Sequence, residues 1–161
     1  MRVAVAFPPM TTTRVTVHIA APRARVYAAL LDPEAIARWK VPAGMKGDVH
    51  ELDPREGGAL RVSLTYDDTD AAGKTSAHTD TYRGRFLRLV PDELVVEADE
   101  FETDDPALRG EMVSTIRLRD APGGGTELEA VHEGVPEAVA PELNELGWRE
   151  ALARLARLVG P

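Results

Sequence analysis

His132 is the residue of this chain best placed to do proton chemistry. In the stretch Thr126–Glu133, Thr126, Leu128, Ala130 and His132 fall on one face of a period-two pattern, and the apolar members mark that face as the inner one. A histidine ending such a face can donate to a ligand oxygen or serve as a base near neutral pH; the plainer alternative is a ring hydrogen-bonded at a strand end. Asn144 lies inside the apolar stripe of a C-terminal helical pattern, one turn before Trp148. An amide there needs a partner, either a neighbouring loop or a ligand, with a first-turn capping contact as the simpler reading. Trp39 follows a short helical segment and is placed to wall or cover a pocket, or else to pack the end of the fold. Trp148 belongs to the core stripe and can also touch a ligand. His18 shares the solvent face of Arg14 and Thr16, while His50 and His78 have no defined facing. Arg61, Arg83, Arg85, Arg117 and Arg119 recur on strands and form a charged outer face where they alternate with apolar residues.

Other chemistries lack their residues. The histidines show neither His-x-His nor His-x₃-His spacing and no HExxH, so no metal site is expected. Asp67-Asp68-Thr69-Asp70 and Asp99-Glu100…Asp104-Asp105 lack the ligand alternation, glycine and closing Glu of a calcium loop, and are expected to be solvated loops. Ser63, Ser76 and Ser114 are the only serines and none lies in G-x-S-x-G. Gly123-Gly124-Gly125 sits between strands and lacks the Lys-Ser/Thr of a phosphate loop. No dinucleotide fingerprint occurs, and no cofactor is expected.

The elements that must position these residues follow from periodicity. Thr11–Ile19 alternates as a half-buried strand. Pro22 opens a short helix with Val26, Ala29 and Leu30 on one side, and Asp32-Pro33, a cap followed by proline, launches a second through Ile36 to Trp39. From Met45 to about Glu133 the signals are strand and turn only: Val49–Leu52, Leu60–Tyr66, Thr79–Leu89 with a bend or bulge at Gly84, Leu94–Phe101, Met112–Arg119 and Thr126–Glu133. Pro141 begins a long helix ending before Gly160-Pro161, with Glu142 and Glu145 near its start and Arg154 and Arg157 near its end, as the helix dipole favours. Trp148, Ala151, Leu152, Leu155, Leu158 and Val159 form its apolar stripe. A seven-stranded antiparallel sheet must bury that stripe on one face, so the fold class is α+β of the helix-grip kind: a curved sheet wrapped around the long C-terminal helix, two short helices closing one end, and a cavity between them.

Composition agrees with one such unit. The 161 residues, 43% hydrophobic and 29% charged, suit a single domain over 11–161 after a short leader at 1–10. Cysteine is absent, which excludes thiol catalysis, disulfide frameworks and thiolate zinc. A net charge of −8 repels phosphate backbones, so nucleic acid is not an expected partner. No apolar run approaches the roughly 20 residues of a membrane span, and Val3–Phe7 is too short for a signal peptide, so a soluble cytoplasmic protein without membrane insertion is expected.

Read together, the Pro22–Val26–Tyr27 helix, Asp32-Pro33…Trp39, Arg55-Glu56-Gly57-Gly58, Gly84 with Pro91-Asp92-Glu93-Leu94, His132-Glu133-Gly134-Val135-Pro136 and Gly147-Trp148 resemble the pattern of the Hsp90-ATPase-activator homologue (AHSA1-like) family. That family lies in the START-like superfamily, also called Bet v 1-like or SRPBCC, and the resemblance spans about residues 13 to 159. Many relatives carry a second Trp where this chain has Lys40. With the element order, the resemblance implies a small soluble binding module for a hydrophobic or amphipathic molecule. Its cavity would be lined by Trp39, Met45, Leu64, Tyr66, Ile116, Leu128, His132, Asn144 and Trp148. Two alternatives stand beside it: a cyclase- or hydrolase-like enzyme on a small aromatic or polyketide-type substrate, with His132 as its base, and a chaperone-interacting protein. Chaperone-binding relatives pair this domain with another for which this chain has no room, which favours a standalone role; a homodimer stays open.

Overall fold

Alternation commits most of this chain to strands, because a period of two puts every second side chain on one face. The computed structural model describes residues 10–67 and 78–161. The expected leader, Met10 apart, and the acidic stretch after Asp67 lie outside the described residues. The elements run β1 (Met10–Ile19), α1 (Arg23–Leu31), α2 (Pro33–Trp39), β2 (Met45–Leu52), β3 (Ala59–Tyr66), β4 (Thr79–Val90), β5 (Leu94–Phe101), β6 (Met112–Asp120), β7 (Thr126–Pro136) and α3 (Pro141–Val159). They form one seven-stranded antiparallel sheet in the order β1-β7-β6-β5-β4-β3-β2, with α3 packed beside β1, α1 and α2. This is the helix-grip α+β fold.

Local chemistry accounts for the helix boundaries. The Asp32 carboxylate accepts from the Glu34 N–H at 3.0 Å and Pro33 fills the first turn, so α2 starts where its cap stands. Helix α3 starts at Pro141 without a side-chain cap, and the Gly160 N–H closes its other end on the Ala156 carbonyl. Arg157 sits in that last turn, whereas Arg154 reaches back to the Trp39 carbonyl at 3.4 Å.

The core lies between the inner sheet face and α3. Val15 and Ile19 of β1, Ile116 and Leu118 of β6 and Leu128 and Ala130 of β7 meet Ala151, Leu152, Leu155 and Val159. Leu128, Leu152 and Leu155 are 0% exposed, so truncating one to Ala would cost about 2–5 kcal/mol. Leu158, placed on the stripe by the helical wheel, is instead 38% exposed: the last turn of α3 turns that position away from the sheet.

Two sequence expectations change in β4 and β5. The irregularity of β4 falls between Phe86 and Arg88, while Gly84 stays in the ladder opposite Leu60 and Asp99. A Cβ at Gly84 would collide with the Ala98 carbonyl and the Asp99 carboxyl, so its smallness makes room for Asp99 rather than bending the strand. Asp99, expected in a solvated acidic loop, lies within β5 and is 8% exposed. The period of β5 turns it inward with Val95 and Glu97, leaving Glu100 on the other face.

Candidate functional site

Strand register assembles a polar row across the inner face. Glu97 of β5 stands opposite Ser114 of β6, Ser114 opposite His132 of β7, and His132 opposite Thr13 of β1. Directly opposed side chains on one face lie about 5 Å apart, so four residues distant in sequence become neighbours. Glu97, Ser114 and Thr13 are buried and His132 is half-buried. Buried polar groups need partners, and His132 and Thr13 receive theirs from one side and Glu97 from the other.

From one side comes α3. The Trp148 indole N–H donates to His132 Nδ1 at 3.1 Å, and the Asn144 amide lies 3.2 Å from the same nitrogen and donates to Thr13 Oγ1 at 2.9 Å. The His132 and Trp148 rings meet edge-on with centroids 5.5 Å apart. An indole N–H can only donate, so Nδ1 is the acceptor and the ring proton sits on Nε2. Burial first, and then the Lys40 charge, lower the His132 pKa to about 4. At neutral pH the ring is an uncharged Nε2–H donor with its one lone pair already engaged, a poor general base. Asn144 therefore ties α3 to β1 and β7 instead of capping its own helix.

From the other side comes Lys40, at the end of α2. Its Nζ lies 2.8 Å from Glu97 Oε1, with side-chain exposures of 17% and 7%, and 5.6 Å from the Tyr82 ring centroid. Burial would raise the Glu97 pKa, but the Lys40 charge outweighs it and holds the carboxyl below its usual range. The same attraction outweighs burial at Lys40, whose pKa is raised. Asp99 has no cation so close: burial and then the Glu97 charge push its pKa well above the ordinary carboxyl range. Burial also raises the Tyr82 hydroxyl. The buried Tyr82 Oη and Ser114 Oγ have no hydrogen-bond partner among the described residues, whereas the carboxyl groups of Glu97 and Asp99 share a hydrogen bond.

The expected lining residues divide into three sets. His132, Asn144 and Trp148 are joined by hydrogen bonds. Ile116 and Leu128 are fully buried floor, and Trp39, 2% exposed with its indole donating to the Ala29 carbonyl at 3.0 Å, packs between the short helices. Met45, Leu64 and Tyr66 are half-buried on β2 and β3. Lys40, Tyr82, Glu97, Asp99 and Ser114 were not singled out from sequence. A signal existed for two: Lys40 stands where relatives carry Trp, and Ser114 interrupts the apolar face Met112-Ile116-Leu118.

The outer face is different. A cavity of about 370 Å³ there is lined by Arg61, Arg83 and Arg85 with Glu51, Glu102 and Glu111. Its arginines are already paired, Arg61 with Glu102 at 2.9 Å, Arg83 with Glu100 at 3.0 Å and Arg85 with Glu111 at 2.9 Å, and such exposed pairs carry little energy. Among the described residues no cluster of three or more His, Asp or Glu is arranged to hold a metal, and no helix is long and apolar enough to cross a membrane.

A curved antiparallel sheet gripping a C-terminal helix, with a polar group buried between them, defines a START-like (SRPBCC) domain. Solved structures share the fold. Protein CV1439 from Chromobacterium violaceum is 39% identical over 93% of this chain and 97% of its own, with a TM-score of 0.83. At the level of fold alone, a Rhodobacter sphaeroides protein matches with 22% identity over 93% and 97% of the two chains and a TM-score of 0.74. An Arthrobacter aurescens protein does so with 18% identity over 92% and 85% and a TM-score of 0.76. No curated protein matches. The family described as activator of Hsp90 ATPase homolog 1-like protein matches residues 20–160, and the chain belongs to that family.

Proposed function

We propose that this protein binds a small amphipathic molecule between the inner sheet face and α3, with its polar end on the Glu97–Ser114–His132 row. The observation that carries the reading is the convergence there of buried polar atoms without partners, since such groups in native proteins are otherwise matched by protein, water or ligand. The half-buried Met45, Leu64 and Tyr66 offer an apolar wall on the same face, and burial of the ligand's apolar part would contribute about 25 cal/mol per Å². The enzyme alternative gains one supporting observation and loses another: His132 lies near titratable groups, yet its Nδ1 is occupied, so it does not act as the base.

Titration with Nile red, an uncharged amphipathic dye, tests the reading, alongside native mass spectrometry of gently purified protein. Saturable one-to-one enhancement that Leu64→Glu abolishes, or a retained small-molecule adduct, is the expected outcome. Neither saturable dye binding nor any adduct from folded protein would refute it.

A further inference from the structure

Resting on that reading, we infer that the body of the ligand lies directly against α3 at Gly147, which makes Gly147 a specificity-determining residue: a side chain there takes the ligand's place. Gly147 stands in the interior of α3, where glycine is less stable than alanine because it has more backbone freedom to lose. Every other glycine among the described residues has a cause within the chain. Most, Gly44, Gly57 and Gly134 among them, hold a positive φ that a side chain resists. At Gly47, Gly58, Gly84 and Gly160 a Cβ would collide with Val41, Asp53, Ala98 and Ala156 respectively. Neither cause applies at Gly147, which keeps a helical backbone. Beyond its own stretch of helix, a Cβ there would meet no heavy atom within 4 Å. The fold leaves this position empty without needing it empty.

Helical spacing places the gap. Gly147 shares one flank of α3 with Leu143 and Ala151, each one turn away, and with Arg154 two turns on. Arg154 meets α2 through the Trp39 carbonyl at 3.4 Å, so this flank looks toward α2 and the chain that follows it into β2. Ala151 is 8% exposed and Leu143 68%, so the flank leaves the protein's own packing between them, at Gly147. The adjoining residue, Trp148, reaches inward to His132 of the polar row. A second observation comes from the sheet. Ser114, opposite His132 in register, is 3% exposed and its Oγ has no partner among the described residues. An empty place on the helix and an unmatched hydroxyl on the sheet therefore adjoin the same imidazole and indole. One molecule answers both: its polar end meets Ser114, and its body runs past Gly147 toward the half-buried Met45, Leu64 and Tyr66. Without a side chain, the helix backbone can lie against that body.

Nile red titrations and thermal melts of Gly147→Ala, Gly147→Leu and the exposed control Ala153→Leu test the assignment. Alanine and leucine both outrank glycine in a helix, so both Gly147 variants are expected to melt about 2–4 °C higher than wild type. Their affinity for Nile red is expected to fall, severalfold for Gly147→Ala and more than tenfold for Gly147→Leu. Ala153→Leu, which adds the same bulk to the outward face of α3, should leave it unchanged. A gain in stability together with a loss of binding is a combination that damage to the fold does not produce. Native mass spectrometry of the same proteins applies the same comparison to any retained adduct. Undiminished dye or adduct binding by Gly147→Leu would overturn the assignment and leave the proposed binding function standing. A lower melting temperature for Gly147→Ala would overturn it too, because glycine would then serve the fold. Neither dye binding nor an adduct in the wild type would remove the binding function and the assignment together.

Discussion

Acidification should destabilise this protein through one residue, His132. In the folded state its pKa is lowered from 6.5 to about 4, by burial and by the nearby Lys40 charge, and Trp148 and Asn144 occupy the nitrogen a second proton would need. The unfolded chain takes up that proton at its ordinary pKa. The folded state therefore binds fewer protons between the two values, and stability present above pH 6.5 is lost as the pH falls toward 4. At about 1.4 kcal/mol for each pH unit of that interval, the full loss would be about 3.5 kcal/mol, and the partly exposed ring edge reduces it to about 2–3 kcal/mol. The perturbation is His132→Gln, whose carbonyl can still accept from Trp148 and Asn144 but does not titrate. Urea unfolding of both proteins, followed by tryptophan fluorescence at several pH values from 7.5 to 4, yields the difference in stability at each pH. That difference isolates His132, because Asp99 and the other titrating groups are common to both proteins. The wild type should lose about 2–3 kcal/mol relative to the variant over this range. Long-range ¹H–¹⁵N correlation spectra of the imidazole should show the Nε2–H form down to about pH 5. Parallel stability curves, a ring titrating near 6.5, or a proton on Nδ1 would refute the reasoning.

Asp99 supplies the opposite slope. Its folded pKa is raised by burial and by Glu97, so its contribution is intact below the unfolded carboxyl pKa and is lost as the pH rises above it; Asp99→Asn, a neutral mimic, should be more stable than wild type at pH 7 and lose that advantage toward pH 3.5, as pH-dependent urea melts will show. Lys40→Met leaves Glu97 charged and buried without its partner and should cost about 3–5 kcal/mol, whereas Lys40→Met with Glu97→Leu should recover most of the loss in the same denaturation assay.

Much of the framework was legible because it rests on local rules. Period-two alternation located the strands, Asp32-Pro33 marked the start of α2, and Pro141 marked the start of α3. Boundaries failed where the local pattern is weak: β2 begins at Met45, ahead of the alternation around Val49, and Leu158 leaves the stripe in the last turn of α3. The candidate site was legible only in part. His132, Asn144 and Trp148 stood out because each is polar, or carries a polar atom, at an apolar position of its own element. Glu97 and Asp99 did not, because β5 is buried on both faces: Val96 and Ala98 are apolar like Val95, and alternation offers no choice of face. With no local cue, two carboxylates near the end of a strand resemble the start of the acidic loop that follows.

By itself the sequence determined that this chain forms an antiparallel sheet and a gripping helix, since periodicity, caps and turns act over a few residues and leave their marks in order along the chain. It also determined the charge and the absence of thiol chemistry. Only the tertiary structure decided that Lys40 from the end of a helix would pair with Glu97 from a strand 57 residues later, that the Asp99 pKa would be pushed up beside them, and that Trp148 would fix the proton of His132. Those outcomes depend on strand register and on which groups lose water together. Burial sets the energy of a charge through everything packed around it, and that surrounding exists only once the sheet has closed on the helix.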